Sequence, residues 1–139
     1  MKITVTFVHA VVDYGIGTLL LIGPWMFGFA EDLRATLCTQ AFGAALIGYS
    51  LYTDYELALR RKIPLWVHLG LDLLCGGLLI AAPWLFGFAA VTWIPHLVIG
   101  TVTASRPALF LASRRISRRV EGWNARDETH RRRTTRILS

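Results

Sequence analysis

The sequence predicts an all-α fold: a polytopic membrane four-helix bundle built from two tandem helical hairpins, related by a pseudo-two-fold axis along the membrane normal. Three observations predict it. The composition leans toward lipid, with 54% of the 139 residues hydrophobic and 17% charged, where a soluble domain carries about 25% charged residues. Four long apolar stretches are separated by short polar breaks. The first half of the chain repeats in the second at an offset of 59 residues, without gaps.

A bilayer core of about 30 Å takes about 20 apolar residues per helix. The first stretch is 5–27. It is expected to be a retained helix and not a leader peptide. Only Lys2 precedes it, His9 and Asp13 interrupt it, and no small-x-small cleavage site follows. The second stretch, 37–52, is short. The third is 65–86, and the fourth, 94–112, contains Arg106 and Pro107. The expected divisions are 1–59 for the first repeat, 60–113 for the second and 114–139 for a basic tail.

The repeat is strongest over residues 8–30. Val8, His9, Asp13, Gly17, Leu19, Leu20, Pro24, Trp25, Phe27, Gly28, Phe29 and Ala30 each recur 59 residues later, as Val67, His68, Asp72, Gly76, Leu78, Leu79, Pro83, Trp84, Phe86, Gly87, Phe88 and Ala89. Twelve identities in 23 positions exceed what apolar bias produces. The second helices, 36–53 against 95–112 at the same offset, keep hydropathy but little identity.

Gly-Pro-Trp-Met-Phe-Gly-Phe at 23–29 and Ala-Pro-Trp-Leu-Phe-Gly-Phe at 82–88 resemble the SPW repeat family. The resemblance implies a prokaryotic membrane protein whose unit is a helix pair centred on Ser-Pro-Trp followed by Leu-Gly-Phe. Asp13 and Asp72, with Gly17 and Gly76, also look family-like. The likeness covers about residues 7–112. Gly23 and Ala82 stand in place of the serine, and Phe27 and Phe86 in place of the usual leucine, so no role for the serine hydroxyl carries over. The resemblance implies a fold and no established activity.

Each Pro-Trp pair, Pro24–Trp25 and Pro83–Trp84, is expected to end a span. Proline removes a backbone donor, tryptophan favours the headgroup level, and Gly28 and Gly87 let the chain turn. Loop charge sets orientation. Lys2, the run Arg60, Arg61 and Lys62, and the tail arginines lie on one side, while the other two loops carry only Arg34. Both termini are therefore expected in the cytoplasm, in a cytoplasmic (cell) membrane. Ala44 with Gly48, and Gly77 with Ala81, are spaced as small-xxx-small contacts that bring helices together.

Two polar pairs sit inside the spans. His9–Asp13 and His68–Asp72 are each one turn apart on one helix face. A charge at a helix centre costs about 2.5–3.5 kcal/mol on insertion scales, so these residues need partners. Arg106 lies at a similar depth and is expected to pair with Asp72, or with Asp13 across the pseudo-axis. The bland account makes the cluster polar glue. The sharper accounts make it a proton or solute path, or a haem or metal site between facing helices.

The net charge of +6 sits entirely in the tail: residues 114–139 hold nine arginines and three acids, and residues 1–113 are balanced. Arg114, Arg115, Arg118 and Arg119 share a stripe, with Ile116, Val120 and Trp123 on another face. That pattern predicts an amphipathic helix contacting anionic lipid headgroups. After Trp123 no periodicity continues, and irregular chain is expected. An arginine-rich end can also meet nucleic acid, but no interleaved aromatics support it, and no nucleic-acid partner is expected.

Cys38 and Cys75 lack metal spacing and are expected to be small buried hydrophobes. His96 is expected at the interface, and Asp54 and Glu56 as solvated charge. No phosphate loop, zinc spacing or activated nucleophile appears. The chain is therefore expected to be no enzyme and to need no cofactor. A structural or accessory membrane protein is the leading expectation, as a homodimer or a subunit of a larger complex. A small channel or carrier, or a haem or metal protein, are the alternatives.

Overall fold

The computed structural model describes residues 5–54 and 57–138, so Lys2 and Glu56 lie outside the described residues. It is all-α, with helices α1 (Val5–Met26), α2 (Leu33–Tyr52), α3 (Leu65–Leu85) and α4 (Ile94–Leu138). Two compact units divide between Pro107 and Ala108.

In the first unit the buried and exposed residues are inverted relative to a soluble bundle. His9, Asp13, His68, Asp72 and Arg106 are buried, while Val8, Val11, Ile22, Leu73, Leu74, Val98 and Val102 are exposed. Water would penalise that arrangement twice, by desolvating charge and by wetting apolar surface. Lipid penalises neither. Helices α1 and α3, and α4 over Ile94–Val120, are long and apolar enough to cross a membrane. Helix α2 has 20 residues, or about 30 Å. Arg34, Thr36, Thr39, Gln40 and Ser50 make it less apolar. It starts at Leu33, one turn before the apolar run, because Asp32 caps it: the Asp32 carboxylate accepts a 2.8 Å bond from the Ala35 amide.

The repeated motif is a helix-ending device. Pro24 and Pro83 stand inside their helices, near the C-terminal end. The Phe29 amide donates back to the Pro24 carbonyl at 2.9 Å, and Phe88 to Pro83 at 2.8 Å. Gly28 and Gly87 adopt left-handed φ of 72° and 71°. This is a Schellman cap, with glycine at the turn and an apolar residue just after it. Phe29 and Phe88 are the buried apolar residues. Trp25 and Trp84 point outward.

Helices meet through glycine. A Cβ on Gly43 would lie 2.7 Å from the Gly17 carbonyl oxygen, and one on Gly100 would lie 2.8 Å from that of Gly76. Those contacts re-phase the repeat. α1 and α3 correspond at an offset of 59, but α2 and α4 correspond at 57 (Gly43 with Gly100), not the 59 carried over from the first helices. The physical reason is that α2 gains a turn at its start while the loop before it is shorter.

The expected small-xxx-small contacts are not the ones used. Ala44 is exposed, and nothing lies within 4 Å of a Cβ on Gly48 or Gly77. Both stripes point away from the helix neighbours because the inward phase is set by Gly43 and Gly76. Cys38 and Cys75 are free and half-buried rather than core residues. They line an apolar groove of about 540 Å³ with Leu37, Ala41, Phe42 and Ala45.

In the second unit α4 stays helical to Leu138, where irregular chain was expected after Trp123. Alanine and arginine favour helix, and no proline follows Pro107. Ile116, Val120 and Trp123 are exposed, and the Arg114 guanidinium sits 5.1 Å over the Phe110 ring.

Candidate functional site: a buried His-Asp-Arg cluster shared by both repeats

Three helices deliver one charged centre. α1 brings His9 and Asp13, α3 brings His68 and Asp72, and α4 brings Arg106. The helical spacing of four places each histidine over its own aspartate. Asp13, Asp72 and His68 have no exposed surface, and Arg106 is 5% exposed.

Arg106 ties the repeats together. One guanidinium nitrogen meets Asp13 Oδ1, and the other lies 3.0 Å from Asp72 Oδ1. Where a pairing with one aspartate was expected, the arginine serves both. A planar guanidinium has the fork geometry for this and a lysine does not. Tyr49 on α2 donates a 2.7 Å bond to the same Asp72 Oδ1.

The second carboxylate oxygens face the imidazoles. His68 Nε2 lies 2.9 Å from Asp13 Oδ2 and 3.4 Å from Asp72 Oδ2. His9 Nε2 lies 3.3 Å from Asp72 Oδ2 and 3.8 Å from Asp13 Oδ2. The rings of His9 and His68 are in edge-to-face contact at 5.4 Å. No slot for a haem macrocycle lies between them, so the haem alternative has no geometric support.

A second polar contact sits toward the Pro-Trp end. Thr39 donates to the Ala35 carbonyl at 2.6 Å. Its single hydroxyl hydrogen is then committed, so the 2.9 Å contact with His96 Nε2 is an N–H donated by the histidine. Phe29 and Phe88, equivalent residues of the two repeats, meet the His96 ring in tilted contacts at 5.7 and 5.1 Å. His96 is thus buried among protein side chains. Thr39 and His96 are themselves equivalent at the offset of 57. Between this contact and the cluster lies an apolar layer of Leu20, Leu79 and Ile99.

The family model for the SPW repeat domain matches residues 7–109. The chain belongs to the SPW repeat family. No curated protein and no solved structure matches it. In this member the repeat motif residues Pro24, Gly28, Pro83 and Gly87 build caps, and Trp25 and Trp84 face outward. None of these six touches the polar cluster. Tyr49, Thr53 and Thr39 join the polar network although sequence reasoning passed over them. Tyr49 and Thr53 lie at the end of the second apolar stretch, where nothing in the sequence sets them apart. Tyr49 and Arg106, both on Asp72, stand 57 residues apart, and the re-phased repeat would have found them.

Proposed function

We propose that the chain is a non-catalytic, multi-pass protein of the cytoplasmic membrane that acts as a structural or accessory subunit. Residues 1–59 and 60–113 are its repeats, four helices span the bilayer, both termini are cytoplasmic, and 114–139 is a basic tail. The observation that carries this reading is that named contacts join every pair of helices in the first unit. Gly17–Gly43 joins α1 to α2, and Gly76–Gly100 joins α3 to α4. The cluster joins α1, α3 and α4. Tyr49–Asp72 joins α2 to α3, and Thr39–His96 joins α2 to α4. A bundle cross-linked in this way suits a rigid membrane body. The Leu20, Leu79 and Ile99 layer speaks against a polar path through it.

Partners on this reading are the bilayer, anionic headgroups along the tail, and a second copy or a larger complex. Mild-detergent purification with native mass spectrometry, alongside proton-flux assays in liposomes, tests it. A stable assembly without flux is expected. Flux that Asp13→Asn or Asp72→Asn abolishes would replace this reading with a carrier.

A further inference from the structure

We propose that the cluster is a divalent transition-metal site of the zinc class, held by His9 Nε2, His68 Nε2, Asp13 Oδ2 and Asp72 Oδ2. One ligand atom from each of these four buried residues lies within 4.8 Å of the other three. A tetrahedral ion with metal–ligand bonds of about 2.0–2.2 Å separates its ligands by about 3.3–3.6 Å. The four histidine–carboxylate separations are 2.9, 3.3, 3.4 and 3.8 Å, and so bracket that spacing. Each repeat supplies one nitrogen and one oxygen, so the ion would lie near the pseudo-axis.

The outer shell is already built. Metal-bound carboxylates and histidines need partners on their other atoms, which fix ring orientation and charge. Oδ1 of Asp72 is taken by Tyr49 and Arg106, and Oδ1 of Asp13 by Arg106. Each aspartate therefore offers one oxygen inward. Thr53 donates its hydroxyl to the Tyr49 carbonyl at 2.8 Å, so at 2.8 Å it accepts Nδ1–H from His68. That tautomer places the Nε2 lone pair of a neutral His68 against two carboxylate oxygens. Such an arrangement is repulsive unless a cation or a proton stands between them. Two carboxylates against one guanidinium make the pocket electronegative. Two nitrogens with two oxygens in tetrahedral spacing suit zinc and its analogues, whereas magnesium and calcium prefer six or more oxygens.

The proposal goes beyond the subunit reading and does not need it. The test uses the full chain in mild detergent, carrying a tag without histidine, stripped with chelator and equilibrated with Zn²⁺ or Co²⁺. One ion per chain is expected by elemental analysis. Co²⁺ should show the intense visible bands of a tetrahedral site, and Zn²⁺ should bleach them. His9→Ala, at the least buried of the four ligands, should lose both signals while the chain stays monodisperse and helical. Thr53→Val, outside the ligand set, should weaken affinity by about 10–100-fold. No bound ion in a monodisperse, helical chain would overturn the proposal and leave a proton as the cation, with the subunit reading intact. Equal loading of His9→Ala would also overturn it, by placing the metal elsewhere.

Discussion

His68 lies closer to Asp13 of the other repeat, at 2.9 Å, than to Asp72 on its own helix, at 3.4 Å. His9 shows the same preference, 3.3 Å to Asp72 against 3.8 Å to Asp13. Each histidine thus lies closer to the aspartate of the other repeat than to the one on its own helix.

Arg106 should be the most sensitive residue of the cluster. Removing one partner of a buried ion pair leaves uncompensated charge and costs about 3–5 kcal/mol. Arg106→Leu should destabilise the chain by that order, read by thermal unfolding in detergent. Arg106→Lys should rescue only part of it, because an ammonium cannot serve both aspartates with the same fork. Combining Arg106→Leu with Asp13→Asn should recover stability relative to Arg106→Leu alone.

The glycines should separate by what a methyl group meets. At Gly76 it would meet backbone, the Ala104 nitrogen at 2.5 Å and the Gly100 oxygen at 2.7 Å. Gly76→Ala should therefore cost about 1–3 kcal/mol. At Gly17 the nearest atom is a side-chain carbon of Ile47, so Gly17→Ala should cost less. Gly48→Ala and Gly77→Ala meet open space and should be neutral or stabilising by up to about 1 kcal/mol. Reversible unfolding in mixed micelles ranks all four.

Gly28→Ala and Gly87→Ala should each cost about 1–2 kcal/mol, the penalty for a side chain in the left-handed region. The φ values of 72° and 71° make the two costs alike. The same unfolding assay checks the pair. A clear inequality would mean that the two caps are not equivalent.

Much of this was legible in the sequence. A repeated His-x-x-x-Asp in an apolar helix can only face the interior, and Arg106 at matching depth is its natural counter-charge. The helix ends were legible too, since Pro-Trp followed by glycine marks where a span stops and the chain turns. The helix contacts were not. Small-residue spacing carries no phase: Ala44 and Gly48 keep the four-residue interval one position away from Gly43, which makes the contact. Thr39–His96 was hidden by the change of offset from 59 to 57, since at 59 neither residue finds its counterpart. The helical tail was missed because arginine-rich chain without apolar periodicity reads as solvated, although its backbone propensity favours helix.

The tail should bind anionic lipid through its arginine stripe. Each basic residue near an anionic leaflet contributes about 1 kcal/mol. With the other four tryptophans changed to phenylalanine, Trp123 emission should shift blue in anionic nanodiscs and less in zwitterionic ones. High salt, or glutamine at Arg114, Arg115, Arg118 and Arg119, should reverse the shift. An unchanged spectrum would remove the lipid contact from the account.

The central claim is that one arginine holds the two repeats together through both aspartates. A double-mutant cycle between Asp13→Asn and Arg106→Gln, measured by unfolding in lipid-containing micelles, tests it most directly. Asp13 and Arg106 belong to different repeats, so no local helix effect couples them. The account predicts a coupling well above the roughly 0.3–0.5 kcal/mol within which independent sites add. Additive effects within that margin would contradict it.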